Sequence, residues 1–332
     1  MENGNIQVLF FQHLKHQLPS HVSMVEEIAE ILGISTDSAY RRIRGEKPLS
    51  FDELQILCRK FKISLDQLFH LESNSIIFTG RTAGQEGYSF LDYLQDIVHT
   101  LTYINKFEKR EISFYNRDIP FFFHFYFPKL AAFKSFFYLR CILNDPKFIN
   151  QKFEFSVIDD NLLEVGRQVS EAYSQLPSTE VWNAESIDST LGQIDYCRAS
   201  GFFRNKEDVN TVYDELQKCM DVIELQTEYG YKLNGEGTVH YRHIPYKIYI
   251  NEFILADTTI LAKLNTDNAS YLVHSVFNYI YTRDRSFNEL TNRHFQNILK
   301  RSTLISESGE KDRRRFFNHI RERINAGKNA NL

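Results

Sequence analysis

The spacing of apolar residues at the start of the chain predicts a series of short amphipathic helices. A first helix is expected over residues 5–17, with one apolar face formed by Ile6, Leu9, Phe10, Leu14 and Leu18. Pro19 and Ser20 then break the pattern, and further short helices are expected from Ser23 to about Leu71. We therefore expect an all-α domain of five helices over residues 1–72.

Local sequence signals place a tight turn between the second and third of these helices. Ser23 and Glu26 have the spacing of a capping box, in which each side chain bonds the backbone of the other residue. Gly33 follows the apolar face of the second helix and can adopt the positive φ of a sharp turn. Ser35 is a favourable N-cap for a third helix over Thr36–Arg44.

Similar signals mark the two remaining helices of this domain. The stretch Gly45–Pro48 is expected to end the third helix and to form a loop. Ser50 and Glu53 form a second capping-box pattern, and Ser64 is a favourable cap for a last short helix.

Residues 23–69 resemble the lambda-repressor/Cro-type helix-turn-helix family, also called the xenobiotic-response-element family. The resemblance is carried by Glu27–Ala29, Leu32–Ser35, Arg44–Glu46, Leu54, Leu57 and Ser64–Leu68. With the first helix included, it covers residues 5–71 and implies a lambda-repressor-like DNA-binding domain whose third helix enters the major groove. Val25 and Arg42 depart from the family, which often has Gln at the first position and an aliphatic residue or Trp at the second.

The polar side chains of the third helix and of the following loop are the expected DNA contacts. In this geometry the start of the recognition helix meets base edges, and flanking groups bind phosphates. An arginine that bonds guanine with two hydrogen bonds contributes about 1–3 kcal/mol of discrimination. An ordinary solvated helix face is the alternative interpretation. The candidate contacts are Thr36, Asp37, Ser38, Tyr40, Arg41, Arg42, Arg44 and Lys47.

The larger remaining part of the chain predicts a mainly helical α+β domain over residues 90–332, after a linker over residues 73–89 that is rich in Gly and Ser. Residues 111–115 alternate as a strand does, and residues 246–264 predict a β-hairpin with its turn at Ala256–Asp257. By analogy with other two-domain regulators, we expect this domain to sense a small-molecule or peptide effector, or to form a homodimer.

Two segments of this domain allow more than one interpretation. The aromatic run Phe121–Phe127 fits either ordinary core or the wall of a ligand pocket. The basic C-terminal helix, with Lys311–Arg315, Arg321 and Arg323, fits either a solvated face at an interface or a second DNA contact.

Composition and motifs exclude several other function classes. The formal net charge is −4, so any positive charge for DNA must be local. The four scattered cysteines and the lack of a signal-peptide pattern indicate a cytoplasmic protein, and the most apolar stretch carries charges that disfavour a membrane segment. The sequence shows no motif for catalysis, a cofactor or a metal site, so we expect none of these functions.

These observations predict a homodimeric, sequence-specific transcriptional regulator that binds double-stranded DNA. The alternative is a protein-interaction scaffold, in which a helical-repeat C-terminal region binds a peptide or protein partner. The absence of a repeat period in the sequence and the strand-like residues 246–264 count against this alternative.

Overall fold

The chain folds into two units, residues 1–77 and residues 78–332. The computed structural model describes residues 5–18, 22–61, 63, 65, 68, 76–81, 83, 85–233, 243–252, 258–265, 267–274 and 278–330. Within these ranges, no helix has both the length and the apolar character that are needed to cross a membrane.

Four helices with defined ends form the described part of the N-terminal unit: α1 (Ile6–Gln17), α2 (Met24–Leu32), α3 (Thr36–Ile43) and α4 (Phe51–Phe61). Their apolar faces meet in a core that includes Phe10, Phe11, Leu14, Ile28, Ala39 and Leu57. The all-helical character is as expected, but the described residues define these four helices rather than the predicted five. The helix expected after Ser64 lies largely outside the described residues.

One of the two predicted capping boxes forms. The Ser50 backbone N–H donates to Glu53 Oε2 at 3.0 Å, and the Glu53 backbone N–H donates to Ser50 Oγ at 3.2 Å. At the start of α2, in contrast, Ser23 makes no side-chain capping hydrogen bond within the described part of the chain. The spacing shared by Ser23 and Glu26 is therefore insufficient to form the box.

A seven-stranded mixed sheet is the centre of the C-terminal unit. Its strands are β1 (Arg110–Tyr115), β2 (Ser178–Trp182), β3 (Tyr246–Ile250), β4 (Thr259–Leu264), β5 (Asp267–His274), β6 (Asn278–Thr282) and β7 (Thr303–Leu304). The strand order is β6-β5-β4-β1-β2-β3-β7, and the pairs β1–β2 and β2–β3 are parallel while the other pairs are antiparallel. This sheet overturns both the expectation of a mainly helical domain and the helical-repeat alternative.

Helices pack on both faces of the sheet. They are α5 (Phe90–Asn105), α6 (Phe121–His124), α7 (Pro128–Phe137), α8 (Asp160–Ser174), α9 (Asp188–Ala199), α10 (Glu207–Tyr229), α11 (Arg285–Leu299) and α12 (Glu310–Asn329). Because side chains alternate along a strand, Ile112 and Phe114 of β1 share one face and belong to the main core. Val181 of β2 faces the other way and packs against Phe295 of α11.

The predicted hairpin over residues 246–264 is wrong. β3 pairs with β2 and β7, whereas β4 pairs with β1 and β5, so these two strands are not neighbours. The proposed turn at Ala256–Asp257 lies outside the described residues. The antiparallel partner of β4 is instead β5, and Asn265 between them has a φ of 46°, which suits a tight connection.

A fully buried carboxylate ties the central strands together. Glu180 in the middle of β2 accepts hydrogen bonds from Trp182 Nε1 at 2.8 Å, Asn116 Nδ2 at 3.3 Å, Tyr246 Oη at 3.4 Å and the Tyr173 hydroxyl. Burial raises the pKa of Glu180, whereas the charge of Lys232 and the hydrogen bonds from Tyr173, Trp182 and Asn116 act in the opposite direction. The donors come from the end of β1, from β2, from β3 and from α8, so they hold the register of the sheet.

Two helical glycines provide a matched test of packing in this unit. A Cβ at Gly166 in α8 would overlap the Phe125 ring, whereas a Cβ at Gly192 in α9 would meet nothing within 4 Å. Gly166→Ala should lower the free energy of unfolding by about 1–3 kcal/mol through overpacking. Gly192→Ala should leave it unchanged or raise it by up to about 1 kcal/mol through helix propensity.

The measurement is urea unfolding followed by the fluorescence of Trp182, the only tryptophan in the chain. Equal midpoints for the two variants would contradict the packing at Phe125.

Candidate DNA-binding surface and internal cavity

The connection between α2 and α3 is a tight turn. Gly33 has a φ of 64°, and its N–H donates to the carbonyl oxygens of Ala29 and Glu30. Ser35 then caps α3, because its Oγ accepts the N–H of Ser38 at 3.3 Å. The N-terminal unit therefore contains two short helices joined by the turn that the sequence predicts.

The surface of α3 divides into an inner and an outer side. Of its eight residues, Ala39 and Arg42 are buried, and Ser38 is half-buried. The remaining predicted contacts are exposed, both on α3 and beyond its C-terminal end: Thr36, Asp37, Tyr40, Arg41, Arg44 and Lys47. We call these six residues the α3 outer face.

Arg42 was predicted to be a DNA contact, but the structure places it in the protein interior. It is 5% exposed, and its Nε and Nη2 donate to the two carboxylate oxygens of Glu53 at 3.0 Å and 2.5 Å. Its Nη1 also donates to the backbone oxygen of Ser38 at 3.1 Å. To reach DNA, Arg42 would have to leave a partly buried carboxylate unpaired, which is strongly unfavourable.

The same ion pair perturbs Glu53. Hydrogen bonds from Arg42 hold the pKa of the Glu53 carboxyl below its ordinary value, and the backbone N–H of Ser50 adds to this effect. Burial acts in the opposite direction but does not prevail. Arg42 therefore joins α3 to the start of α4 by a charge-assisted bidentate contact.

Gln7 of α1 fixes the loop that follows α3. Its Nε2 donates to the backbone oxygens of Arg42 at 2.6 Å and Lys47 at 2.8 Å, and its Oε1 accepts the N–H of Leu49 at 2.8 Å. This residue was not among the sequence-based candidates. Its partners lie about forty positions away in the chain, so no local pattern could have identified it.

The positive charge of the α3 outer face is concentrated at its C-terminal end. The Arg44 guanidinium lies 5.5 Å from the centre of the Tyr40 ring, and its Nε lies 3.4 Å from Glu46 Oε1. Arg41 and Lys47, each three positions from Arg44 in the sequence, are also exposed. An exposed pair such as Arg44–Glu46 is weak in water, so Arg44 can exchange Glu46 for another anion at low energetic cost.

The C-terminal unit contains a cavity of about 1150 Å³ between α5 and one face of the sheet. One face of α5 forms a wall with Tyr93, Ile97, Thr100, Leu101 and Ile104. The sheet forms the opposite wall with Ile112, Phe114, Ile260, Tyr271, Val273 and Tyr279. This volume is slightly above the range of about 300–1,000 Å³ that is typical of ligand sites.

Polar residues line the cavity where β1 and β2 end. Parallel strands place their carboxyl ends at the same edge of a sheet, and this brings Asn116–Asp118 close to Asn183–Ser189. Behind them, the buried ammonium of Lys134 lies 3.2 Å from Asp118 Oδ2 and 2.8 Å from Gln193 Oε1. Burial alone would lower the pKa of Lys134, but Asp118 raises it above its ordinary value.

The C-terminal helix holds the segment after β2. Arg323 of α12 forms an ion pair with Asp188 and donates to the backbone oxygen of Ala184 at 3.3 Å. Arg321 pairs with Glu224 of α10. Both arginines are therefore engaged within the C-terminal unit, whereas Lys311, Arg314 and Arg315 are exposed.

The aromatic run Phe121–Phe127 is divided between the wall of the cavity and the main core. Phe121 and Phe122 line the cavity. Phe123, Phe125 and Phe127 are buried in the main core.

Comparison with protein families supports the function of the N-terminal unit. The profile of the family described as the BetR domain matches residues 11–85. The match supports a helix-turn-helix-like domain of DNA-binding regulators at this end of the chain. No curated protein and no solved structure gives a significant match to the chain.

The ion pair between Arg42 and Glu53 should make the stability of the N-terminal unit depend on pH. Because the folded-state pKa of Glu53 lies below 4.5, the pair stabilises the fold above that pH. This stabilisation is lost as the pH falls through the lowered pKa. Near neutral pH, Glu53→Gln should therefore lower the stability of α3 and α4 by about 1.5–3 kcal/mol, and the difference should shrink in acid.

Amide hydrogen exchange of the full chain, read on peptides from α3 and α4, measures this effect. Glu46→Gln is the matched control, because its partner Arg44 is exposed and the expected loss is near zero. Equal protection of the two variants at neutral pH would disprove the structural role of Arg42.

Proposed function

We propose that this chain is a sequence-specific DNA-binding transcriptional regulator, and that α3 enters the major groove as in lambda-repressor/Cro-type domains. The main supporting observation is the division of α3 into a buried side, anchored through Arg42, and an exposed polar outer face. The BetR-domain match over the same region supports DNA binding independently. Arg42 is left out of the proposed contact set.

The residues of the α3 outer face suit different parts of a DNA duplex. Thr36 and Asp37 stand at the start of the helix, which meets base edges in this geometry, and Asp can accept a hydrogen bond from cytosine. Arg41 and Arg44 can bond guanine or phosphate. Lys47, in the loop held by Gln7, is a phosphate contact in this proposal.

A homodimer is part of this proposal. A single recognition helix reads few base pairs, so two copies on half-sites about 10 base pairs apart, or a multiple of that spacing, would gain affinity and specificity. The C-terminal unit would then provide dimerisation, effector sensing or both. The cavity beside α5 supports effector sensing, and we propose that the protein acts in the cytoplasm by binding, without catalysis.

Removing the two exposed arginines tests the proposed surface. The full chain first selects a duplex from a random pool, and Arg41→Ala/Arg44→Ala is then compared with the parent on that duplex by fluorescence anisotropy. Each arginine should contribute about 1–3 kcal/mol, so the double variant should bind at least about thirtyfold more weakly. The dependence of affinity on salt should also become shallower, because fewer counterions are released.

The control removes the same charge from the C-terminal unit. Lys311 and Arg315 on α12 are both exposed, so Lys311→Ala/Arg315→Ala should keep the parental affinity. If this control loses binding while Arg41→Ala/Arg44→Ala does not, DNA lies on α12 and the assignment to α3 fails.

A further inference from the structure

We propose that the cavity between α5 and the sheet binds an amphiphile that has one long apolar chain and an uncharged, hydrogen-bonding head. Its role as the effector rests on the proposed function, whereas its binding does not. The ligand would lie with its chain towards the C-terminal end of α5 and its head at the carboxyl ends of β1 and β2.

The size and the walls of the cavity suit a ligand. Its volume of about 1150 Å³ is large enough for a small molecule. Its walls include the half-buried side chains of Ile260, Tyr271, Val273 and Tyr279. The apolar part of a ligand would remove their remaining exposed surface from water.

The shape of the apolar part favours a long chain. Its residues on α5 run from Tyr93 to Ile104, which is a span of about 16 Å at the rise of an α-helix. They recur at intervals of three or four, so they form one continuous stripe on the helix. A stripe of this length suits an extended hydrocarbon chain.

The polarity of the cavity changes from one end to the other. The end of α5 and the start of β1 are separated by a short connection, and there Leu101, Ile104 and Ile112 provide buried apolar side chains. At the opposite end of β1, Asn116, Asn183 and Gln193 provide buried carboxamides. An amphiphile matches this polarity in one orientation only.

The charges at the polar end favour an uncharged head. Asp118 is paired with Lys134, and Asp188 is paired with Arg323. Arg117 and Glu185 are exposed at the rim and have opposite signs, and His274 at the same end is neutral in the formal charge. A ligand carboxylate or ammonium would therefore meet no net opposite charge, and its desolvation would be poorly compensated. Gln193 is engaged by Lys134 and Ser189, Asn116 Nδ2 by Glu180, and Asn183 Oδ1 by Ser186. The remaining carboxamide atoms, Asn116 Oδ1 and Asn183 Nδ2, can accept from and donate to ligand hydroxyl groups.

Binding of matched amphiphiles tests both parts of this assignment. Isothermal titration calorimetry of the full chain compares four compounds: a medium-chain monoacylglycerol, the fatty acid and the primary alkylamine of the same alkyl length, and glycerol. The three amphiphiles are used below their micelle concentrations. We expect one monoacylglycerol per chain, at an affinity at least about tenfold above that of either charged analogue, and no binding of glycerol. Binding of the fatty acid or the amine at equal or greater affinity would overturn the assignment of the head group. If none of the three alkyl compounds binds, the proposal that this cavity is a ligand site is overturned.

Bulky substitutions locate the ligand. Thr100→Trp places an indole in the middle of the cavity, and His99→Trp, one position earlier, places the same group on the exposed side of α5. The first variant should weaken monoacylglycerol binding at least about tenfold through steric exclusion, and the second should leave it unchanged. Val273→Phe on β5 fills the cavity from the opposite wall and replaces Thr100→Trp if that variant does not fold. Parental affinity in a folded cavity-filling variant would show that the ligand binds elsewhere.

These titrations are separable from the test of DNA binding. If the protein binds monoacylglycerol but selects no duplex, the regulator proposal is refuted and the proposed ligand site in the cavity stands. A chain that selects a duplex and binds no amphiphile would overturn the site alone. If the protein binds both the duplex and monoacylglycerol, saturating monoacylglycerol should change the affinity for the selected duplex severalfold in the parent but not in Thr100→Trp. An unchanged affinity for the duplex in the parent would overturn the effector role.

Discussion

The ion pair between Arg42 and Glu53 determines which side of α3 is exposed. A helix of eight residues is too short to be stable by itself, so its orientation must come from tertiary contacts. Ala39 and the half-buried Ile43 supply its apolar contacts, and the bidentate bond from Arg42 to the start of α4 supplies the directional part. Gln7 of α1 holds the C-terminal end of the helix and the loop that follows it. One arginine is thus withdrawn from the surface, and this orients Tyr40, Arg41 and Arg44 outward.

A buried carboxylate with several donors has the corresponding role in the C-terminal unit. Glu180 joins the end of β1 to β2 and β3 through hydrogen bonds from Asn116, Trp182 and Tyr246. Asn116 also lines the cavity, so the network that sets the strand register also shapes its polar edge. In both units a glutamate, fully buried at Glu180 and half-buried at Glu53, is stabilised by directed donors. Each fixes the geometry on which the proposed binding surface depends.

The features that sequence predicted correctly depend on contacts within a few residues. Gly33, Ser35 and the Ser50–Glu53 box form the turn and the caps through bonds that span three or four positions, and the spacing alone indicates them. The burial of Arg42 depends on Glu53, which is eleven positions away in the sequence. The local sequence therefore could not distinguish Arg42 from the exposed Arg41 and Arg44. The sequence does not predict β2, because Ser178, Thr179 and Glu180 are polar although they are buried, and so they lack the apolar pattern of a core strand. The hairpin prediction failed because parallel strands pair across intervening helices, which no local period reveals.

The central claim is that the outer face of α3 lies in a major groove, and photocrosslinking tests it most directly. A photoreactive side chain in place of Tyr40 should crosslink to bases of a selected duplex, at positions that face the major groove. The same group in place of Ile6 on α1, which is 60% exposed, should give no base crosslink. Crosslinks to bases from position 6 with none from position 40 would contradict the account.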